Sequence, residues 1–139
     1  MLFPKKIKFR KWHTKRREIS KAGPATRGVD IAFGSHALKA MSAGRITSNQ
    51  IEAARKAATR ATGKVGKIWI RIFPDRPYTS KPAEVKMGKG KGDPQGFCVE
   101  VNPGRVLFEV DGISDSLAME VLRKAGTKLP VKTKTVRRR

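Results

Sequence analysis

A run of alternating glycine and lysine, Gly88-Lys89-Gly90-Lys91-Gly92, joins two segments that have strand-like patterns. Glycine lets the backbone approach another molecule closely and expose its N–H groups, while the lysine ammonium groups supply charge. Such a loop tip suits a narrow, strongly negative crevice in folded RNA. The run matches neither GxxxxGK[ST] nor GxGxxG, because Asp93 and Pro94 follow it. The other interpretation is a flexible linker, which glycine-rich runs usually form.

Few residues could support catalysis or hold a metal ion. The two histidines, His13 and His36, have no second ligand at HxH or HxxxH spacing. The one cysteine, Cys98, excludes an intramolecular disulfide and a CxxC zinc site, and we interpret it as a small core or surface residue rather than a nucleophile. General acid–base catalysis on RNA would need a carboxylate near the phosphates, whereas six of the eleven carboxylates lie at 93–120, away from the basic segments. The sequence therefore predicts no enzyme, no metal and no cofactor.

Positive charge is concentrated in two segments that contain no Asp or Glu. The chain has 32 Lys and Arg against 11 Asp and Glu, a formal net charge of +21. Residues 1–17 and 123–139 each contain eight cations and no acid, whereas residues 93–120 contain six acids and one cation. One basic run alone would indicate a solvated face or a disordered tail, but two on so basic a chain favour a nucleic-acid partner.

Aromatic residues fall into two groups. Phe9 and Trp12 lie among cations, where a core position is difficult to build and where rings can stack on unpaired bases. We interpret Trp12 as a base-stacking residue, with Phe9 as a second candidate. Aromatic residues in strand-like patterns are assigned to the core: Trp69, Phe73, Phe97 and Phe108.

Two helices are predicted in a chain whose 139 residues suit one domain. The first begins after the N-cap Thr47, with Gln50 completing a capping box, and ends at Gly63. Its narrow apolar stripe, which should pack close to a sheet, consists of Ile51, Ala54, Ala58 and Ala61. The second helix begins near Ser114 and ends before Pro130.

Strand-like alternation occurs at 29–33, 67–73, 97–101, 106–110 and 131–136. Asn102-Pro103-Gly104 predicts a turn that folds 97–101 and 106–110 into a hairpin. The prolines at 74, 77 and 82 indicate an extended connection. The order of elements predicts an α+β fold with a mostly antiparallel sheet and two helices.

Several segments, taken together, resemble the L sixteen family of bacterial ribosomal proteins. They are MLFPKKIKFRKWH at 1–13, the set Phe33, Gly34, Leu38, Lys39 and Ala40, TSNQIEAAR at 47–55, GKIWIRIFPDRPYTSKP at 66–82, MGKGKG at 87–92, PGRVLFEVDG at 103–112 and AMEVLRKAGTKLPVKTKTV at 118–136. The resemblance covers nearly the whole chain in order, and the combination of KIWIR, FPD and MGKGKG is its most specific part. Lys86 departs from it, because the family often has arginine there.

This resemblance implies a hammerhead-like fold and a structural constituent of the large ribosomal subunit. Family members bind large-subunit ribosomal RNA near the peptidyl-transferase region and help to position A-site and P-site tRNA. The implied partners are ribosomal RNA, tRNA and neighbouring ribosomal proteins, with no membrane and no homo-oligomer. The implied location is the ribosome of the bacterial cytoplasm, or of the plastid stroma.

The chain is accordingly divided into a basic extended arm at 1–28, a single α+β RNA-binding domain at 29–136 with a Gly–Lys loop at 87–92, and a basic tail at 137–139. The residues expected to bind ribosomal RNA are Lys5, Lys6, Lys8, Arg10, Lys11, Trp12, His13, Arg45, Arg55, Lys56, Arg60, Lys67, Arg71, Lys132 and Lys134. The loop expected to lie near tRNA consists of Lys86, Met87, Gly88, Lys89, Gly90, Lys91 and Gly92. Anchoring of ribosomal RNA by the loop lysines is the alternative.

Two other functions are compatible with part of the sequence. A free-standing nucleic-acid-binding protein, such as one that compacts DNA, would explain the net charge but not the Gly–Lys loop between strands or the KIWIR strand. An RNA-modifying enzyme is disfavoured, because the sequence has no ligand set and no cofactor-binding loop.

Overall fold

The structure, a computed structural model, describes residues 2–12, 23–80 and 90–139. In chain order its elements are β1 (His36–Ala40), β2 (Gly44–Thr47), α1 (Ser48–Thr62), β3 (Lys67–Ile70), β4 (Arg76–Ser80), β5 (Asp93–Val101), β6 (Val106–Asp111), α2 (Asp115–Gly126) and β7 (Thr133–Arg137). The predicted α+β class is confirmed, because two helices accompany sheets whose pairings are antiparallel.

The strands form two sheets rather than one. The four-stranded sheet has the order β3-β6-β1-β7, and the three-stranded sheet has the order β2-β5-β4. The predicted hairpin is wrong, because β5 and β6 belong to different sheets. The turn itself is present: Arg105 N–H donates to the Asn102 carbonyl at 3.2 Å, and Gly104 has a φ of 96°. Gly104 N–H then donates to the Ala40 carbonyl at 2.6 Å, which directs the chain to the end of β1 instead of back along β5.

The predicted strand at 29–33 is also wrong. The N–H groups of Ala32, Phe33 and Gly34 donate to the Glu109 carboxylate instead of a neighbouring strand, and the first strand is β1. The strand predicted at 67–73 ends at Ile70, and the proline-rich connection after it contains β4. β4 tolerates Pro77 because it is an edge strand, where a missing N–H costs little.

Both predicted helices are confirmed with their caps. Thr47 accepts the Gln50 N–H at 3.3 Å, and the Gln50 side chain accepts the Thr47 N–H at 2.9 Å. Ser114 caps α2 by accepting the Leu117 N–H at 3.4 Å. The apolar stripe of α1 is buried at Ile51, Ala54 and Ala58. It packs chiefly against α2 and less against the sheets, which corrects the prediction of a helix on a sheet. Short alanines on both helices permit this close approach.

One core joins the helices to both sheets. Its largest fully buried apolar side chains are Leu38, Ile46, Ile51, Leu107, Phe108 and Leu122. The core assignment is confirmed for Phe108, whereas Trp69 and Phe97 are half-buried. The assignment of Phe73 is wrong, since its side chain is 45% exposed where the chain leaves β3. Among the described residues, no helix has the length and apolar character that a membrane span requires.

Candidate nucleic-acid interface

A buried carboxylate fixes the segment through which the basic arm enters the domain. Glu109 on β6 is fully buried, and one oxygen accepts the N–H groups of Gly34 and Phe33, each at 2.8 Å. The Arg71 guanidinium pairs with the other oxygen. Burial raises the pKa of Glu109, but the donors of Gly34, Arg71, Phe33 and Ala32 together outweigh burial and hold the pKa below its usual range. The carboxylate is therefore charged at neutral pH and holds this segment in place.

Arg71 consequently has an internal partner, although it was predicted as a phosphate ligand. Its side chain is 19% exposed, pairs with Glu109 and donates to the Asp30 carbonyl at 3.2 Å. It also lies 5.5 Å from the Phe33 ring, which stacks on Trp69 with 5.9 Å between ring centroids. These contacts bind the segment before β1 to the segment after β3.

Two further predicted cations also have carboxylate partners. Arg45 Nε lies 3.2 Å from Glu100 Oε1, and Arg76 pairs with the same carboxylate. Arg55 pairs with Glu52 one turn away, at 3.2 Å from Nε to Oε2, and this hydrogen bond lowers the pKa of Glu52. The expectation that residues 93–120 hold their acids away from the basic segments is wrong, because Glu120 pairs with Lys124 and Asp115 pairs with Arg137. Antiparallel register places Arg45 opposite Glu100 across β2 and β5.

Most of the other cations predicted to bind RNA are exposed. They are Lys5, Lys6, Lys8, Arg10 and Lys11 on the arm, Lys56 and Arg60 on α1, Lys67 on β3, and Lys132 and Lys134 at β7. His13, Lys86, Met87, Gly88 and Lys89 lie outside the described residues. In the described end of the Gly–Lys loop, Gly90 has a φ of 93°, and the Lys91 ammonium donates to the Trp12 carbonyl. The loop and the arm are thus in direct contact.

Two basic clefts include residues that sequence reasoning did not select. The first, of about 350 Å³, lies between the last turns of the two helices and is lined by Arg60, Lys124 and Lys128. Exposed helix C-terminal carbonyls favour cations at such a place. The second, of about 490 Å³, is lined by Lys39 and by Arg137–Arg139. The acid-free segment 123–139 pointed to most of these cations by composition. Their convergence with Arg60 depends on the packing of the two helices, and their convergence with Lys39 depends on the pairing of β1 with β7.

The residues suited to other chemistry are engaged in the fold. Cys98 is buried, and burial raises the pKa of its thiol, so of its two predicted positions, core or surface, the structure shows the core. His36 is buried, with Nδ1 at 2.9 Å from the Ser35 hydroxyl and Nε2 at 3.5 Å from Asp115. The described part of the chain contains no group of three or more His, Cys, Asp or Glu residues that could hold a metal ion.

Comparison with known proteins identifies the family to which these features belong. The family described as ribosomal protein L16p/L10e matches residues 4–136. The chain belongs to this family. Its relatives include proteins of Rickettsia prowazekii and Rickettsia typhi, each 54% identical over 99% of this chain and 98% of their own. A protein of Rickettsia rickettsii is 53% identical over the same shares. Each of the three is named large ribosomal subunit protein uL16.

Membership of the L16p/L10e family confirms the resemblance seen in the sequence. It also decides between the alternatives, because a ribosomal protein family accounts for the Gly–Lys loop, the KIWIR strand and the net charge together. A protein that compacts DNA and an RNA-modifying enzyme each account for fewer of these features.

Proposed function

We propose that this chain, a structural constituent of the large ribosomal subunit, binds ribosomal RNA near the peptidyl-transferase region mainly through phosphate contacts. One observation carries the proposal: ten of the predicted cations are exposed on the arm, α1, β3 and β7, outside the ion pairs that organise the domain. Lysine and arginine at such positions neutralise phosphates without reading bases. The neighbouring ribosomal proteins are its other partners, in the bacterial cytoplasm or the plastid stroma.

The cleft between α1 and α2 supports a phosphate site of this kind. Arg60 of α1, Lys124 of α2 and Lys128, which follows α2, line this cleft, so three cations share one small volume. Lys124 is partly neutralised by Glu120, whose carboxylate lies 3.2 Å away. The repulsion among the remaining charges is relieved when an RNA phosphate enters the cleft.

The salt dependence of RNA binding tests this proposal. Arg60→Gln or Lys128→Gln should flatten the slope of log affinity against log salt by about 0.7–0.9, because one fewer counterion is released. The matched control is Asp111→Asn on the acid-rich segment, for which we expect almost no change in slope. An equal effect from this variant would mean that the RNA-facing side has been assigned wrongly.

We further propose that the Gly–Lys loop helps to position A-site and P-site tRNA. The described end of the loop supports this, since Gly90 has open space around its α-carbon and Lys91 is exposed. A lysine ammonium is a compact charge on a flexible stem, which can release and rebind a moving phosphate.

Lys89→Ala tests the tRNA proposal more cleanly than Lys91→Ala, because Lys91 also contacts the arm. We expect normal incorporation of the Lys89 variant into large subunits and weaker tRNA binding by the assembled particles. Failed incorporation would assign the loop to ribosomal RNA, and unchanged tRNA binding in intact particles would show that its charge is dispensable.

A further inference from the structure

A cavity of about 270 Å³ opens on the three-stranded sheet, at the place where the arm crosses it. The residues that matter for its chemistry are Trp12 from the arm, Arg45 and Thr47 from β2, Arg76 and Tyr78 from β4, and Cys98 from β5. Register places Thr47 and Arg76 on either side of Cys98, so that the three residues form one row across the sheet. The cavity is therefore built by all three strands and bounded by the arm.

Three planar side chains surround this cavity. The Trp12 ring centroid lies 5.6 Å from the guanidinium carbon of Arg76, and the indole remains 37% exposed. The Tyr78 ring lies close over Gly96: a β-carbon on that glycine would be 3.1 Å from the phenol oxygen and 3.2 Å from a ring carbon. Gly96 thus lets the tyrosine ring lie close to the sheet. Indole, phenol and guanidinium are the groups on which unpaired bases stack in RNA-binding proteins.

Charged groups lie beside the aromatic rings of the cavity, where the phosphate next to a bound base would lie. Glu100 pairs with both Arg45 and Arg76, which holds the two guanidinium groups in place beside the rings. These two guanidinium groups form the cationic rim of the cavity. The floor is the buried side chain of Cys98, which presents a small, weakly polar surface. A paired base has both faces covered by its neighbours in the helix and could not enter.

We propose that this cavity binds one unpaired nucleobase of ribosomal RNA, stacked against Trp12 and Tyr78. The inference rests on the proposed function and specifies which part of the RNA this surface takes. The aromatic rings hold the base, and the cationic rim holds the adjoining phosphate. Such contacts complement the phosphate contacts of the exposed lysines, because the planar groups select unpaired nucleotides.

The test uses the full chain with large-subunit ribosomal RNA. Trp12→Leu and Tyr78→Leu each remove a ring without changing charge, so we expect affinity to fall by about 5- to 150-fold while the salt slope stays the same. Trp12→Phe and Tyr78→Phe should retain most of the affinity, which separates lost stacking from lost folding. Phe3→Leu is the matched control, since this arm aromatic is 63% exposed and does not line the cavity.

A direct readout comes from ultraviolet crosslinking of the wild-type complex followed by mass spectrometry. We expect nucleotide adducts on Trp12 or Tyr78, and on a nucleotide that is unpaired in the RNA. Full affinity of both leucine variants, or adducts confined to lysines, would overturn the base-binding cavity and leave the phosphate proposal standing. If Arg45→Gln weakens binding while the ring variants do not, the cavity holds a phosphate only. Failure of the wild-type chain to bind ribosomal RNA would instead refute the proposed function itself.

Discussion

Glu109→Gln should destabilise the domain strongly, although the side chain keeps its size. The glutamine carbonyl can still accept the N–H groups of Gly34 and Phe33, but the amide group that replaces the second oxygen cannot accept from Arg71. Breaking a buried ion pair from one side costs about 3–5 kcal/mol. Because Arg71 is 19% exposed, water can partly replace the lost partner, and we expect a decrease near the lower end of this range. The free energy of unfolding, measured in urea at pH 7, should therefore fall by about 3 kcal/mol.

The pH dependence of this difference gives a second measurement. The pKa of Glu109 is lower in the folded than in the unfolded chain, so its stabilisation is complete above the unfolded pKa, about 4.3, and disappears as pH falls through the folded value. The gap in stability between wild type and Glu109→Gln should therefore narrow below about pH 4.3. Glu120→Gln, with half of its side chain exposed, should cost less than about 1 kcal/mol at any pH. Two results would refute the conclusion that Glu109 holds the segment before β1 in place. One is a decrease in the free energy of unfolding below about 1 kcal/mol for Glu109→Gln, and the other is a stability difference from wild type that widens in acid.

Two further predictions concern the same junction of arm and domain. Gly34→Ala should lower the free energy of unfolding in urea by at least about 1–3 kcal/mol, because its β-carbon would lie 2.4 Å from the Val110 carbonyl oxygen. Gly23→Ala is the control, since a β-carbon there would have open space around it. Equal stability of the two variants would contradict the steric explanation. In the free chain we expect the amides of residues 5–11 to be unprotected from hydrogen exchange, because within the described residues they form no backbone hydrogen bond to the domain. The Ala25 amide should be protected, because it donates to the Pro103 carbonyl at 2.8 Å. Strong protection of 5–11 without RNA would show that the arm folds by itself.

Helices could be predicted from the sequence because their signals are local. The Thr47 capping box and Gly63 enclose α1 within seventeen consecutive residues, and Ser114 marks α2 in the same way. Strand pairing could not be predicted so well, because it depends on distant partners. The alternating runs at 97–101 and 106–110 are compatible with a hairpin, but the hydrogen bonds of Gly104 and Arg105 with Ala40 direct them into different sheets. β1 was missed because Ala37, Leu38 and Ala40 are all buried, which removes the alternation that marks a strand.

The candidate interface was predictable in composition but not in detail. The exposure of the arm lysines can be predicted from the absence of acids in this segment, without knowledge of the tertiary structure. Arg71 could not be recognised as a counter-ion, because Glu109 is 38 residues away and meets it only through the folded sheet. Arg76 and Tyr78 were assigned to a proline-rich connection, yet the spacing Arg-Pro-Tyr is that of one face of an edge strand. The available signal for this strand was the spacing of two residues between Arg76 and Tyr78, which places both side chains on the same face of a strand.

The internal ion pairs explain how a chain with a net charge of +21 can fold before RNA neutralises it. Glu109 is buried and Glu100 is half-buried, and each joins segments that would otherwise repel one another: β2 with β4 through Arg45 and Arg76, and the arm junction with the end of β3 through Arg71. Burying Glu109 keeps its charge from opposing an approaching phosphate at the surface. These two carboxylates therefore hold the domain together, and the many exposed lysines remain available to the RNA.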